Sequence, residues 1–185
     1  VSDNPILNLN KLQIMLHKYG KGEYYKKLKE IFINKQNETD HFERYNLHNV
    51  LQHYCINKIF EGKPEYRRER FELYKIALGQ KLFSLYEKDY FDDMLFGNIV
   101  LVAISVDELD WLKDFIEKYS HLLSPEVSNS VKKYSFAKLN FAQNNFSEAL
   151  KLLNSSELSN YVRNNFSVRD LIMKSMYELG YFTEL

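Results

Sequence analysis

The chain has 185 residues, of which 45% are hydrophobic and 27% are charged. This composition supports a folded core and excludes an intrinsically disordered chain. The formal net charge is zero, so no overall field favours nucleic acid or an anionic membrane as a partner. Only 6 Gly and 3 Pro are present, whereas an all-β domain needs many more turn residues, so the composition favours an all-α fold.

The cysteine count and the apolar runs bear on the compartment. A single cysteine, Cys55, excludes a disulfide framework within the chain and favours a reducing environment. The longest apolar run, Ile99 to Ile104, is far shorter than the roughly 20 residues that a membrane-spanning helix needs. We therefore expect a cytoplasmic protein that does not engage a membrane.

Residues that start or end helices recur along the chain. Asp40-His-Phe-Glu43 is typical of a capping box, in which the Asp side chain accepts an early amide and the Glu side chain reaches back. Gly62-Lys-Pro64 predicts the end of one helix and the start of the next. Ser105-Val-Asp-Glu108 predicts a second capping box. Asn144 and Gly180 stand where a helix is expected to end in a left-handed residue.

The apolar spacing between these marks is helical, with steps of three and four residues at Leu109, Leu112 and Ile116. The β-branched run 99–104 also fits a buried strand, but helix is favoured because no second strand is available to pair with it. Short connections predict antiparallel helix pairs. Five pairs are expected: 7–19 with 23–35, 41–60 with 64–86, 91–105 with 107–122, 126–143 with 146–155, and 163–179 with a helix starting near 182.

The second helices of these pairs open at residues that recur every 36 to 43 positions, namely Tyr24, Tyr66, Leu109, Phe146 and Phe182. Intervals in this range are typical of stacked helix-pair repeats, and the last two approach the 34-residue period of tetratricopeptide repeats.

Residues 131–153 resemble a tetratricopeptide repeat. Ala137 matches the small residue of the first helix, and Asn144 matches the turn glycine. Phe146 matches the aromatic residue that opens the second helix, and Ala149 matches its small packing residue. The segment 167–185 repeats the pattern with Tyr177, Gly180 and Phe182, but it carries Met173 and Leu185 at the two small positions.

This resemblance implies a fold and a function. The fold is a right-handed superhelix, an α-solenoid of about five antiparallel helix pairs, in which residues 1–185 form a single helical-repeat domain. The clearest units are 126–155 and 163–185. Such a solenoid has a concave groove lined by the first helices, and such grooves usually hold an extended or helical peptide. The expected function is a non-catalytic protein–protein interaction scaffold that needs no cofactor.

The groove residues follow from aligning the first helices of the last two units at their turn residues. This alignment pairs Tyr134 with Asp170, Lys138 with Lys174, and Phe141 with Tyr177. In tetratricopeptide arrays such positions tend to face the concave side. We expect these side chains to line a peptide-binding groove, in which the two lysines hold an acidic peptide or a carboxylate. The alternative is that both lysines are simply solvated.

Two other kinds of site have weaker support. A zinc site needs four converging ligands, but the steps from His48 to His53 and from His53 to Cys55 place these side chains on different helix faces. The acids Asp92 and Asp107 stand at predicted helix starts, where capping explains a negative charge better than catalysis does. No cofactor, metal or phosphate motif is present.

Two alternative functions stay open. A nucleic-acid-binding helical repeat would use local basic patches, formed by Lys26, Lys27, Lys29, Arg67, Arg68 and Arg70, although the acids among them favour a solvated helix face. A helical enzyme would need site residues that are dispersed in the sequence.

The end of the chain carries a further expectation. The last predicted unit has a full first helix, but its second helix begins near Phe182 and the sequence stops at Leu185. A segment this short cannot sustain a helix, since roughly 12–15 residues are needed even for marginal stability. The sequence therefore predicts that the natural protein continues past Leu185.

Overall fold

The computed structural model describes residues 5–34, 39–155 and 166–181, which form nine α-helices and no strand. This confirms the all-α prediction over the described ranges, and the apolar run 99–104 lies inside a helix. The chain divides into two compact units, Val1–Asp89 and Tyr90–Leu185, and each is described by itself. The helix predicted to start near 182 lies outside the described residues.

The first unit contains α1 (Pro5–Tyr19), α2 (Gly22–Asn34), α3 (His41–Phe60) and α4 (Tyr66–Gly79). Each helix packs against the next one in the chain. The core is formed by buried residues from all four helices, including Leu16, Leu28, Phe32, Leu47, Leu51 and Leu73. The predicted pairing of α1 with α2 and of α3 with α4 therefore corresponds to helices that pack together.

The second unit contains α5 (Asp93–Ser105), α6 (Leu109–Tyr119), a short 3-10 turn, α7 (Ser128–Ala142), α8 (Phe146–Leu153) and α9 (Phe166–Glu178). Helix α7 packs against α5, α6, α8 and α9, and α9 also packs against α8. Ala137 on α7 and Ala149 on α8 are fully buried where these two helices pack. The small, buried residues that the sequence analysis singled out on these two helices are thus both in the interior.

Helix boundaries confirm some of the predicted caps and correct others. The Asp40 capping box is present: the Glu43 amide donates to Asp40 Oδ1 at 2.8 Å, and the Asp40 amide donates to Glu43 Oε2 at 3.2 Å. The predicted box at 105–108 is wrong, because Ser105 still belongs to α5 and donates its hydroxyl hydrogen to the Val102 carbonyl at 2.8 Å.

The helix predicted over 64–86 is too long, because α4 ends at Gly79. Lys81 adopts a left-handed φ of 57°, which a continuing helix cannot contain. The chain turns back so that Leu82 enters the core at 1% exposure, and its amide donates to the Ala77 carbonyl at 3.0 Å. Burial of Leu82 therefore outweighs the helical pattern of the sequence beyond Gly79.

Helices α5, α7 and α9 end in the same way. A left-handed residue follows each helix, with φ of 60°, 61° and 78° at Asp107, Asn144 and Gly180, respectively. The next amide then donates to the carbonyl five residues earlier, at distances of 3.0, 2.8 and 3.0 Å, as in a Schellman motif. This confirms the predicted helix ends at Asn144 and Gly180. Helices α3 and α4 end in the same motif, at Gly62 and Lys81. The shared turn lets residues of α5, α7 and α9 be compared by their distance before it, and residues at equal distances are called equivalent below.

Candidate functional site

A cavity of about 580 Å³ lies among α5, α7 and α9. This is the size range of protein sites that hold small molecules. All three helices are the first members of successive predicted pairs. The residue six positions before the left-handed turn lines the cavity in each helix: Leu101 on α5, Lys138 on α7 and Lys174 on α9. We call this space the Lys138 cavity.

The Lys138 cavity brings together five of the six groove residues that the sequence predicts: Tyr134, Lys138, Phe141, Asp170 and Lys174. The sixth, Tyr177, is 60% exposed and does not line the cavity.

Leu101 and Ile104 on α5 also form part of the wall, and the alignment of the last two units alone did not include them. Extending that alignment to the left-handed turn at Asp107 places both of them at groove positions, but this turn is known from the structure and the sequence predicted a capping box there instead.

The two lysines of the cavity have different surroundings. Lys174 Nζ lies 2.7 Å from Asp170 Oδ2, one helical turn earlier, in a pair whose side chains are 58% and 41% exposed. Asp170 is the one acid among the described residues that line the cavity. This pair neutralises Lys174 locally, although water screens an interaction at such exposure. Lys174 therefore contributes little unbalanced charge to the cavity.

Lys138 keeps an unbalanced charge. Its Nζ lies 4.1 Å from the centre of the Tyr134 ring, close enough for a cation–π interaction. Within the part of the chain that the structure describes, no carboxylate lies within ion-pair distance of Lys138. Burial lowers the pKa of its ammonium to about 8. At pH 7 most Lys138 side chains thus carry a positive charge that no described acid neutralises, in a cavity whose other walls are largely apolar.

The first unit has a cavity of its own, of about 540 Å³, between α1 and α3. Here Lys58 Nζ lies 5.2 Å from the centre of the Tyr54 ring. Glu61, one turn later, accepts hydrogen bonds from the same Nζ at 3.0 and 2.7 Å. We call this space the Lys58 cavity. Its lysine is neutralised by Glu61, which also lines the cavity.

The histidines and the cysteine of α3 do not converge. His48 is fully buried, and its Nε2 lies 3.1 Å from Gln52 Nε2. Burial, with a smaller contribution from Arg70, lowers the pKa of His48 to about 3. His53 donates from Nδ1 to the Asn49 carbonyl on the exposed side. Cys55 is buried beside the Tyr25 hydroxyl, and burial raises its pKa to about 11.

No group of three potential metal ligands exists among residues 5–34, 39–155 and 166–181. Each of the three side chains of His48, His53 and Cys55 packs or bonds locally.

The acidic and basic groups considered from the sequence are mostly explained by local bonds. Asp92 caps α5 by accepting from the Leu95 amide at 2.7 Å. In the basic patch, Lys29 pairs with Glu69 at 2.6 Å, and this carboxylate also bonds the Tyr25 hydroxyl. Acids thus lie among the cations of this patch, whereas nucleic-acid binding needs a clustered basic face.

The chain matches no protein-family model, no curated protein and no solved structure. Among the helices that the structure describes, none combines the length and the apolar character needed to cross a membrane.

Proposed function

We propose that this chain is a non-catalytic protein-interaction module of tetratricopeptide-like helix pairs, and that the Lys138 cavity binds a peptide segment of its partner. One observation carries the proposal: equivalent positions of three successive first helices line one cavity. In stacked helix-pair repeats the first helices form the concave binding surface. The equivalence of Leu101, Lys138 and Lys174 is what such a stack would produce.

The chemistry of the cavity indicates the kind of segment. Tyr134 and Phe141 offer aromatic surface, and Leu101 adds an apolar side chain that is 52% exposed. The ammonium of Lys138 lacks a carboxylate among the described residues, so a carboxylate from a ligand would supply the missing partner. We therefore expect an extended segment that places an apolar or aromatic residue beside an Asp, a Glu or a free C-terminal carboxylate.

Selection from a displayed library of random heptapeptides tests the proposal. Binders should be enriched in acidic and apolar residues. For each binder, affinity is measured by titration against the wild-type chain and against Lys138→Met, which keeps the length of the side chain but removes its charge. We expect Lys138→Met to weaken binding about tenfold or more, in line with the loss of a partly buried charge-assisted hydrogen bond.

The chain offers a matched control. Lys58 stands four residues after a tyrosine, as Lys138 does, but Glu61 neutralises it. Lys58→Met should leave peptide affinity unchanged, and Lys138→Arg should retain part of it, because the charge is kept. If no binder is selected, or if Lys138→Met and Lys58→Met weaken binding equally, the Lys138 cavity is not the peptide site.

A further inference from the structure

The surroundings of Lys138 Nζ differ from those of a solvated lysine. The side chain is half-buried and lines a cavity of about 580 Å³. Its amine lies over the Tyr134 ring, and Leu101, Ile104 and Leu171 contribute apolar walls. The charged groups that share the cavity are Asp170 and Lys174 on α9, which pair with each other, and α5 contributes none.

Burial disfavours the ammonium form of Lys138, although the Tyr134 ring attracts a cation placed over its face. An ammonium loses hydration on burial, and no described carboxylate compensates for that loss. The pKa of Lys138 accordingly falls to about 8. About one side chain in ten is then a neutral amine at pH 7, whereas for a lysine with the usual pKa of about 10.4 the fraction is about one in 2,500. A neutral lysine amine in an apolar pocket is a nucleophile toward carbonyl compounds.

We propose that the Lys138 cavity binds small apolar aldehydes through reversible imine formation at Lys138 Nζ. The neutral amine adds to the carbonyl carbon, and a carbon–nitrogen bond forms. The resulting carbinolamine then loses its oxygen together with two protons as water, which leaves a carbon–nitrogen double bond. No oxidant or reductant is needed, and hydrolysis reverses the reaction. This property does not depend on peptide binding, since it needs only the amine and the cavity.

The apolar class of aldehyde follows from the walls. The reaction requires the neutral form of Lys138. In that form Asp170 and Lys174 balance each other, so no net charge of the cavity holds an anionic aldehyde beside the amine. A carboxylate bound to the ammonium form instead keeps Lys138 protonated and unreactive. Leu101, Ile104 and Phe141 can instead cover a short alkyl chain.

The experiment labels the intact chain with butanal in the presence of cyanoborohydride, which converts imines into stable amines. Peptide mass spectrometry then gives the labelling rate of each lysine in one sample. Lys151, whose side chain is 77% exposed, and Lys58 serve as internal references. At pH 7 we expect Lys138 to react at least about tenfold faster than either one, although its side chain is less exposed than that of Lys151. The ratio should decrease toward pH 9.5, because other lysines then lose their protons as well.

Two further arms decide the ligand class. The labelling of Lys138 relative to Lys151 should be lower with glyoxylate, an anionic aldehyde, than with butanal. Leu101→Gln should lower the rate of butanal labelling several-fold, whereas Met94→Gln, an exposed position on the same helix outside the cavity, should not. Equal labelling of Lys138 and Lys151 at pH 7 would overturn the proposal. A preference for glyoxylate would overturn the assignment to apolar aldehydes.

Discussion

The two units present the same pair of residues in two different electrostatic settings. Tyr54 and Lys58 on α3, and Tyr134 and Lys138 on α7, are each four residues apart, and each lysine lies over the ring of its tyrosine. In the first unit Glu61 neutralises the lysine, whereas in the second no described acid does so. Helices α3 and α7 therefore both place a lysine over the tyrosine one turn earlier, and the lysines differ in whether a described acid pairs with them.

The two units also differ in where their titratable side chains lie. The first unit encloses His48 between Phe32 and Tyr74, with ring centres 5.8 and 5.3 Å away, and Gln52 links it to Arg70. In the described part of the second unit, the one histidine is His121, and it is exposed. The first unit thus places a titratable side chain in its core. The buried polar side chains in the described part of the second unit are the serines Ser120, Ser135 and Ser175, and its unusual cation lies at a cavity.

The largest expected effect tests this second difference. The pKa of His48 in the folded chain is about 3, below the ordinary value of about 6.5. Between these two values only the unfolded chain binds the proton, so stability is complete above pH 6.5 and decreases as the pH falls. Linkage gives a loss of about 3 kcal/mol at pH 4.5 from this one residue.

Urea unfolding followed by circular dichroism at pH 7.5 and at pH 4.5 measures this loss. His48→Gln should remove most of the loss of stability between pH 7.5 and pH 4.5 that we attribute to His48, whatever its effect on stability at pH 7.5. His121→Gln is the matched control and should leave the pH dependence as it is in the wild type. An unchanged pH dependence in His48→Gln would show that other groups cause the acid sensitivity.

A smaller loss of stability is expected where α7 and α8 pack behind the Lys138 cavity. Ala149 is fully buried, so Ala149→Leu should overpack the contact and lower the free energy of unfolding by about 1–3 kcal/mol. Ser147→Leu, at an exposed position of the same helix, should change it by about 0.5 kcal/mol or less. If urea unfolding showed that both substitutions change the free energy of unfolding equally, the packing of α7 against α8 would not require a small side chain at position 149.

Much of this arrangement could be predicted from local sequence. Asn144, Gly180 and the Asp40 capping box are local signals, because backbone conformation and side-chain reach within a few residues determine them. The alignment of the turn residues then predicted, without any tertiary information, that Lys138 and Lys174 lie in one groove, and both line one cavity in the structure.

Two of the failures depend on groups that are distant in sequence, whereas the wrong capping box at 105–108 and the overlooked Lys174–Asp170 pair involve residues within one helical turn. Helix α4 ends at Gly79 because Leu82 is buried in the core, which the helical periodicity beyond Gly79 does not reveal. The pairing of Lys174 with Asp170 was within reach of the sequence, because the two residues are one turn apart on a helix. The unbalanced charge of Lys138 could not be predicted from the sequence, because it depends on which side chains of other helices lie near its amine.

The last prediction exchanges the electrostatic settings of the two lysines. Ala142 lines the Lys138 cavity one turn after Lys138, so Ala142→Glu supplies a partner much as Glu61 does for Lys58. A carboxylate this close should raise the pKa of Lys138 by about one unit or more. The neutral fraction at pH 7, and with it the rate of butanal labelling, should then fall about tenfold, equivalent to about 1.4 kcal/mol.

Gln143→Glu adds the same charge at the neighbouring exposed position, outside the cavity wall, and should change the labelling of Lys138 little. The mirror change, Glu61→Gln, removes the partner of Lys58 and should increase labelling there, by a smaller factor, because Glu61 is 50% exposed and water already screens its charge. If Gln143→Glu were as effective as Ala142→Glu, general charge rather than a direct partner would control Lys138. In that case the pairing of Lys58 with Glu61 would not explain why the two lysines differ, and the difference in their reactivity would have to come from burial.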